Sequence, residues 1–198
     1  MEGTIYSAWI GAVTVPPLAA LVVGIATRFG PAGRPIAAYV ALAVLVASSL
    51  AVALQLSFVH RPANLWWLLA SYGAYCTLAA ACFGIRPLWL RIPALLIAAL
   101  PIAAVYLLAT VGIMALAAIA ADLGAPPRRT ELMRSGLSCD VTFWGMVSTD
   151  SGYEVHLRRF WPPAPFIWRT VSTVAVNQTA GETELTCQTL LARYDSGR

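Results

Sequence analysis

The sequence contains no lysine; all thirteen basic residues are arginine. Acidic residues are nearly missing from its first part, where only Glu2 precedes Asp122. Charged side chains make up 11% of the chain against roughly 25% for a soluble domain, while 59% of residues are hydrophobic and the mean hydropathy is +0.72. These scarcities exclude an ordinary soluble fold. The net charge of +4 is too small and too scattered for nucleic-acid binding. Arg128 and Arg129 read instead as a membrane-proximal pair. The absence of lysine beside abundant alanine points to a GC-rich bacterial source.

What remains is long apolar runs. A helix needs about 20 apolar residues to cross a bilayer core. Four segments qualify, at about 5–27, 36–59, 65–85 and 88–121. The sequence thus predicts a membrane all-α bundle of four transmembrane helices with a small C-terminal antiparallel β domain outside the membrane. The first segment lacks the basic start and the cleavage site of a signal peptide, so it is read as a retained helix. Short connections with Pro and Gly imply antiparallel neighbours. Ala20-x-x-x-Gly24, Ala70-x-x-x-Ala74, Gly73-x-x-x-Thr77 and Ala80-x-x-x-Gly84 offer faces for close approach. Trp66, Trp67 and Trp89, with Tyr6 and Trp9, mark helix ends as an aromatic belt. The fourth segment exceeds one span, and its end at 115–121 is expected to project as a stalk. Pro16-Pro17 must remove backbone hydrogen bonds from the first helix, giving either a kink repaired by neighbours or a break lining a cavity.

Beyond residue 121 the character changes. Residues 122–137 read as a linker, and 138–198 as a β-rich domain with strands at about 139–148, 153–161, 166–177 and 183–192. The expected turns are Thr149-Asp150-Ser151-Gly152, Pro162-Pro163-Ala164-Pro165 and Thr179-Ala180-Gly181-Glu182. Some 60 residues make a marginal core that needs a staple.

Arginine placement leaves orientation tied: Arg28, Arg34, Arg86 and Arg91 flank the first and third loops, while Arg61, Arg128, Arg129 and Arg134 lie on the other side. Cysteine breaks the tie. Cys139 and Cys187, in the first and last expected strands, are expected to form a disulfide, which persists only in an oxidising compartment. Both termini are therefore expected outside the cytoplasm, with the tail domain in the periplasm. Cys76 and Cys82 lie within the third helix and read as packing residues.

The scarcity of ionisable groups also limits chemistry. No Asp, Glu, Lys or His falls inside an expected span, which argues against an internal carboxylate relay for coupled transport. Arg91 lies near an interface, where its head can reach water. Only His60 and His156 exist, so no pair of histidines faces across the bundle to hold haem. No cofactor or metal is expected. Asp140, Asp150, Glu154 and His156 are close in sequence, and Glu154 and His156 share one face of a strand; they read as a solvated face. No catalytic residue is assigned. The most distinctive segment runs from Arg158 to Arg169, with Arg158, Arg159, Phe160, Trp161, Trp168 and Arg169 as candidate contacts to a partner protein or to lipid. The leading expectation is a non-catalytic subunit of a bacterial inner-membrane complex. A transporter of small solutes or lipid, and an enzyme on a lipid-linked substrate, are the rivals.

Overall fold

A computed structural model describes residues 2–28, 33–85, 87–110, 127, 129–133, 136–145, 151–177 and 187–196. The chain divides into two compact units, Met1–Leu50 with Pro62–Gly124, and Ala51–Arg61 with Ala125–Arg198. The expected stalk at 115–121, the turn residues Thr149 and Asp150, the turn at 179–182 and the start of the last expected strand lie outside the described residues.

The first unit is built from four long helices: α1 (Glu2–Arg28), α2 (Gly33–Ala53), α3 (Arg61–Ala81) and α4 (Leu88–Thr110), with a 3-10 turn at Cys82–Gly84 after α3. All four are long and apolar enough to cross a membrane, as in a multi-pass membrane protein. Their surfaces agree with that. Val52, Leu96, Ile97 and Leu100 are each more than 60% exposed, a burden of apolar surface that water would penalise and lipid would not.

Among the described residues several polar contacts tie these helices together, and one of them repairs a gap left by proline. Pro17 has no N–H, so the carbonyl of Val13, four residues earlier, loses its helical donor. The Tyr106 hydroxyl of α4 donates to that carbonyl at 3.0 Å. The proline pair therefore leaves α1 continuous, with a neighbour making the repair. Trp9 Nε1 donates to the Ala109 carbonyl at 3.1 Å and Tyr75 to the Ala98 carbonyl at 3.0 Å, while the hydroxyls of Ser48 and Ser71 lie 2.7 Å apart. At Gly11 the helices come close: an added Cβ would stand 2.5 Å from Leu69 Cδ2 of α3. Of the expected small-residue positions, Gly24 has nothing within 4 Å of such an atom, and Gly73 meets Val15 at an ordinary 3.5 Å. Cys76 is buried and Cys82 half-buried, both as free thiols.

The second unit is a five-stranded, wholly antiparallel sheet in the order β1-β5-β4-β3-β2. Its strands are β1 (Leu56–Phe58), β2 (Arg129–Leu132), β3 (Leu137–Gly145), β4 (Ser151–Trp161) and β5 (Ala164–Asn177), followed by helix α5 (Cys187–Ser196). Three differences from expectation stand out. The second apolar run does not stay helical to Val59: α2 ends at Ala53, and Gln55 takes a left-handed φ of 55°, the place where helices commonly carry glycine. That reversal feeds Leu56–Phe58 into the sheet as its edge strand, register Leu56↔Arg169 and Phe58↔Ile167. Second, β2 lies inside the stretch expected to be linker. Third, the strand expected over 183–192 is replaced, in its described part, by helix α5. Cys187, Leu190, Leu191 and Tyr194 follow the spacing i, i+3, i+4, i+7, and all four contribute to one core.

That core packs α5 on one sheet face: Leu137, Cys139, Val155 and Leu157 meet Cys187 and Leu190. A disulfide joins Cys139 to Cys187 across a sequence separation of 48. Ten residues are too few for a stable isolated helix, so the disulfide and the apolar stripe supply what propensity lacks. Because β1 comes from the α2–α3 connection and its partners from the tail, those two parts of the chain lie on one side of any bilayer the helices cross. Two crossings, α3 and α4, separate them in sequence.

Candidate functional site

Strand alternation gives the sheet a second, polar face. Along β3 it presents Ser138, Asp140 and Thr142, and along β4 Glu154, His156 and Arg158, with Asp140 directly opposite His156 in register. Sequence alone suggested a solvated face for Glu154 and His156; both are half-buried, and their neighbours lie deeper. Ser138 is 1% exposed and Asp140 6%, and the Arg158 and His156 side chains retain only 14% and 17% of their exposure. Charges withdrawn from water to this extent must be paired.

The pairing is explicit. Arg158 Nη1 donates to Asp140 Oδ2 at 2.8 Å, and Arg61 Nη2 donates to the same oxygen at 3.2 Å. Arg61 is the first residue of α3, so this ion cluster fastens the α2–α3 connection to β3 and β4. Next to it, His156 Nδ1 lies 3.1 Å from Thr173 Oγ1 on β5, and His156 Nε2 lies 3.6 Å from Glu154 Oε2. The Thr142 hydroxyl donates to the Glu154 carbonyl at 3.2 Å. Burial holds the His156 imidazole below its ordinary pKa. The Glu154 carboxylate pulls the other way, Arg158 and Arg61 add to the depression, and Asp140 opposes it. The net effect favours the neutral form of His156.

Three residues singled out in the sequence thus converge on one face: Asp140, Glu154 and His156. Among the described residues they do not form a cluster able to hold a metal ion. Their chemistry is turned on one another: the Asp140 carboxylate is held by two guanidinium groups, and Glu154 and His156 face each other. Arg61 was the part hidden in sequence, 79 residues from its partner.

The six candidate contact residues divide. Arg158 belongs to the buried cluster just described. Arg159, Phe160, Trp161, Trp168 and Arg169 form the end of the β4–β5 hairpin, where the Phe160 and Trp168 rings stack with centroids 3.8 Å apart. Arg159 and Arg169 are direct cross-strand partners, and both are exposed. Cys139 and Cys187 form the disulfide that was expected of them.

In the helical unit, an open, almost wholly apolar cavity of about 460 Å³ is walled by Pro16 and Ala20 of α1, Cys76 of α3, Phe83, and Leu96 and Ile102 of α4. The Arg91 guanidinium sits 5.6 Å above the ring of Phe83. Compared with known proteins, the chain matches no family model, no curated protein and no solved structure.

Proposed function

We propose that this protein is a non-catalytic structural subunit of a bacterial inner-membrane complex. In this role four helices anchor it, and the disulfide-bonded sheet is displayed on the periplasmic side to a protein partner. The observation that carries the proposal is the use of the chemically capable side chains as braces. Arg61, Asp140 and Arg158 lock a loop and two strands together, and Cys139–Cys187 locks α5 onto the sheet. A surface stiffened in this way suits docking, because less freedom is lost on association. The disulfide supports the periplasmic placement, since such bonds persist in oxidising compartments. Mild-detergent purification followed by mass spectrometry tests it. A stoichiometric membrane or periplasmic partner is expected, lost when Asp140→Asn loosens the sheet. A monodisperse protein that carries no partner contradicts it.

A second role, binding and moving a lipid chain or small apolar solute, is favoured by the cavity walled by Pro16. Its mark is transport by reconstituted protein that falls when Pro16 and Pro17 are both replaced by alanine. The convergence of Glu154 and His156 gives an enzyme on a lipid-linked substrate a definite test too. Unimpaired biological activity of a Glu154→Gln, His156→Ala double variant removes it.

A further inference from the structure

The end of the β4–β5 hairpin combines three features that the ion cluster and the disulfide do not use. The first is a charge conflict. Arg159 and Arg169 face each other across the two strands, both exposed, and among the described residues no carboxylate forms an ion pair with either. Like charges in direct cross-strand positions repel, so this pair is short of an anion. The second is exposed aromatic surface: Phe166 is 61% exposed and Phe160 41%, beside the Phe160–Trp168 stack and the exposed turn Pro162-Pro163. The third is position along the chain. Between Ala164 and Trp168 the β5 strand bulges away from β4, whose Trp161 and Phe160 are adjacent, and the bulged segment pairs with β1 instead. The Phe166 carbonyl accepts a hydrogen bond from Val59 N–H at 3.0 Å. Val59 is two residues from Arg61, where the third apolar span begins. Two residues reach at most about 7 Å, so Val59, to which the Phe166 carbonyl is bonded, is tied by a short length of chain to the start of that span.

The geometry points to a membrane-surface anchor: the hairpin end lies in the headgroup layer, with Phe166 and its aromatic neighbours at the acyl boundary and Arg159 and Arg169 sharing the phosphate of an anionic phospholipid. Aromatic rings favour this layer, and guanidinium groups bind phosphate through paired N–H donors. An anion between the arginines removes the repulsion within the sheet, so lipid binding and sheet stability are coupled. The anchor depends on the helices spanning a bilayer and not on the protein having a partner subunit.

The test uses the full chain, with its disulfide intact, carrying Cys76→Ala and Cys82→Ala and a nitroxide on Phe166→Cys. A control nitroxide sits on Gln188→Cys, at the exposed side of α5. Both are reconstituted in phosphatidylcholine vesicles with and without phosphatidylglycerol. At position 166, collision with oxygen should dominate and collision with a water-soluble nickel chelate should be several-fold weaker than at 188. Adding phosphatidylglycerol should deepen the label, and Arg159→Gln with Arg169→Gln should abolish that response while the disulfide stays formed. Three results overturn the anchor: a label at 166 as open to nickel as at 188, which means solvent; a label shielded from both reagents, which means a protein cover; or a depth indifferent to both the arginines and the anionic lipid.

Discussion

The two units of this protein solve the same problem, holding a chain in one shape, with opposite means. The helical unit exposes its apolar side chains and spends polar groups singly: one tyrosine mends one proline gap, and two serines meet. The sheet unit concentrates its charges into one buried cluster and adds a covalent bond. The difference follows from solvent. A helix satisfies its own backbone wherever it lies, so apolar length suffices in a bilayer. A sheet of this size in water has too little core to stand on burial alone.

The disulfide should show that contrast most strongly. Reducing it, or replacing Cys139 and Cys187 by serine, should cost the sheet unit about 3–4 kcal/mol by loss of the loop constraint. Chemical denaturation followed by sheet-specific signals should record that loss while the helical content barely changes. Equal loss of helix would break the contrast between the units.

Next in size is Asp140→Ala, which leaves two largely buried guanidinium groups without their carboxylate; about 3 kcal/mol is expected, since breaking such a cluster costs more than never building it. A double-mutant cycle with Arg61→Met should recover part of the loss, because it removes one of the uncompensated charges.

How much of this could be read beforehand differs between the units in the same way. The four helices were legible because apolar length is a sequence property. The end of α2 was not: Leu56-Ser57-Phe58 continues the apolar run, and only Gln55 interrupts it. Helix α5 was misjudged as a strand because Leu185, Cys187, Thr189 and Leu191 alternate, while Cys187, Leu190, Leu191 and Tyr194 also fit a helix, and ten residues are too few for the pattern to decide. Glu154 and His156 were correctly placed on one face, but its burial was invisible, because Arg61 joins from far away in sequence. The disulfide was legible from the placement of Cys139 and Cys187 in the first and last expected strands, although its second cysteine proved to lie on a helix.

Smaller effects sharpen the comparison. Tyr106→Phe removes the donor to the Val13 carbonyl and should cost about 1 kcal/mol, within the range of interhelical hydrogen bonds in membrane proteins, as read by the detergent-denaturation midpoint. His156 makes the sheet unit acid-sensitive. Its folded pKa is depressed, so the unfolded chain takes up a proton first as the pH falls. The stability that neutral His156 contributes is complete above the ordinary imidazole value near 6.5 and is lost as the pH drops through the interval down to the folded value. His156→Gln should flatten that dependence without altering stability at pH 8 by more than a small amount.

The central claim is that one disulfide-bonded sheet is built from the α2–α3 connection and the tail, and the proposed role puts it on the periplasmic side. Thiol counting in intact cells tests it most directly. Cells are treated with or without a membrane-impermeant reductant, then denatured and reacted with a maleimide that adds mass at each free cysteine. Of the four cysteines, Cys76 and Cys82 are free, so two additions are expected without reductant and four with it. Four additions without any reductant would contradict the account, and so would a bond that opens only when the membrane is first permeabilised.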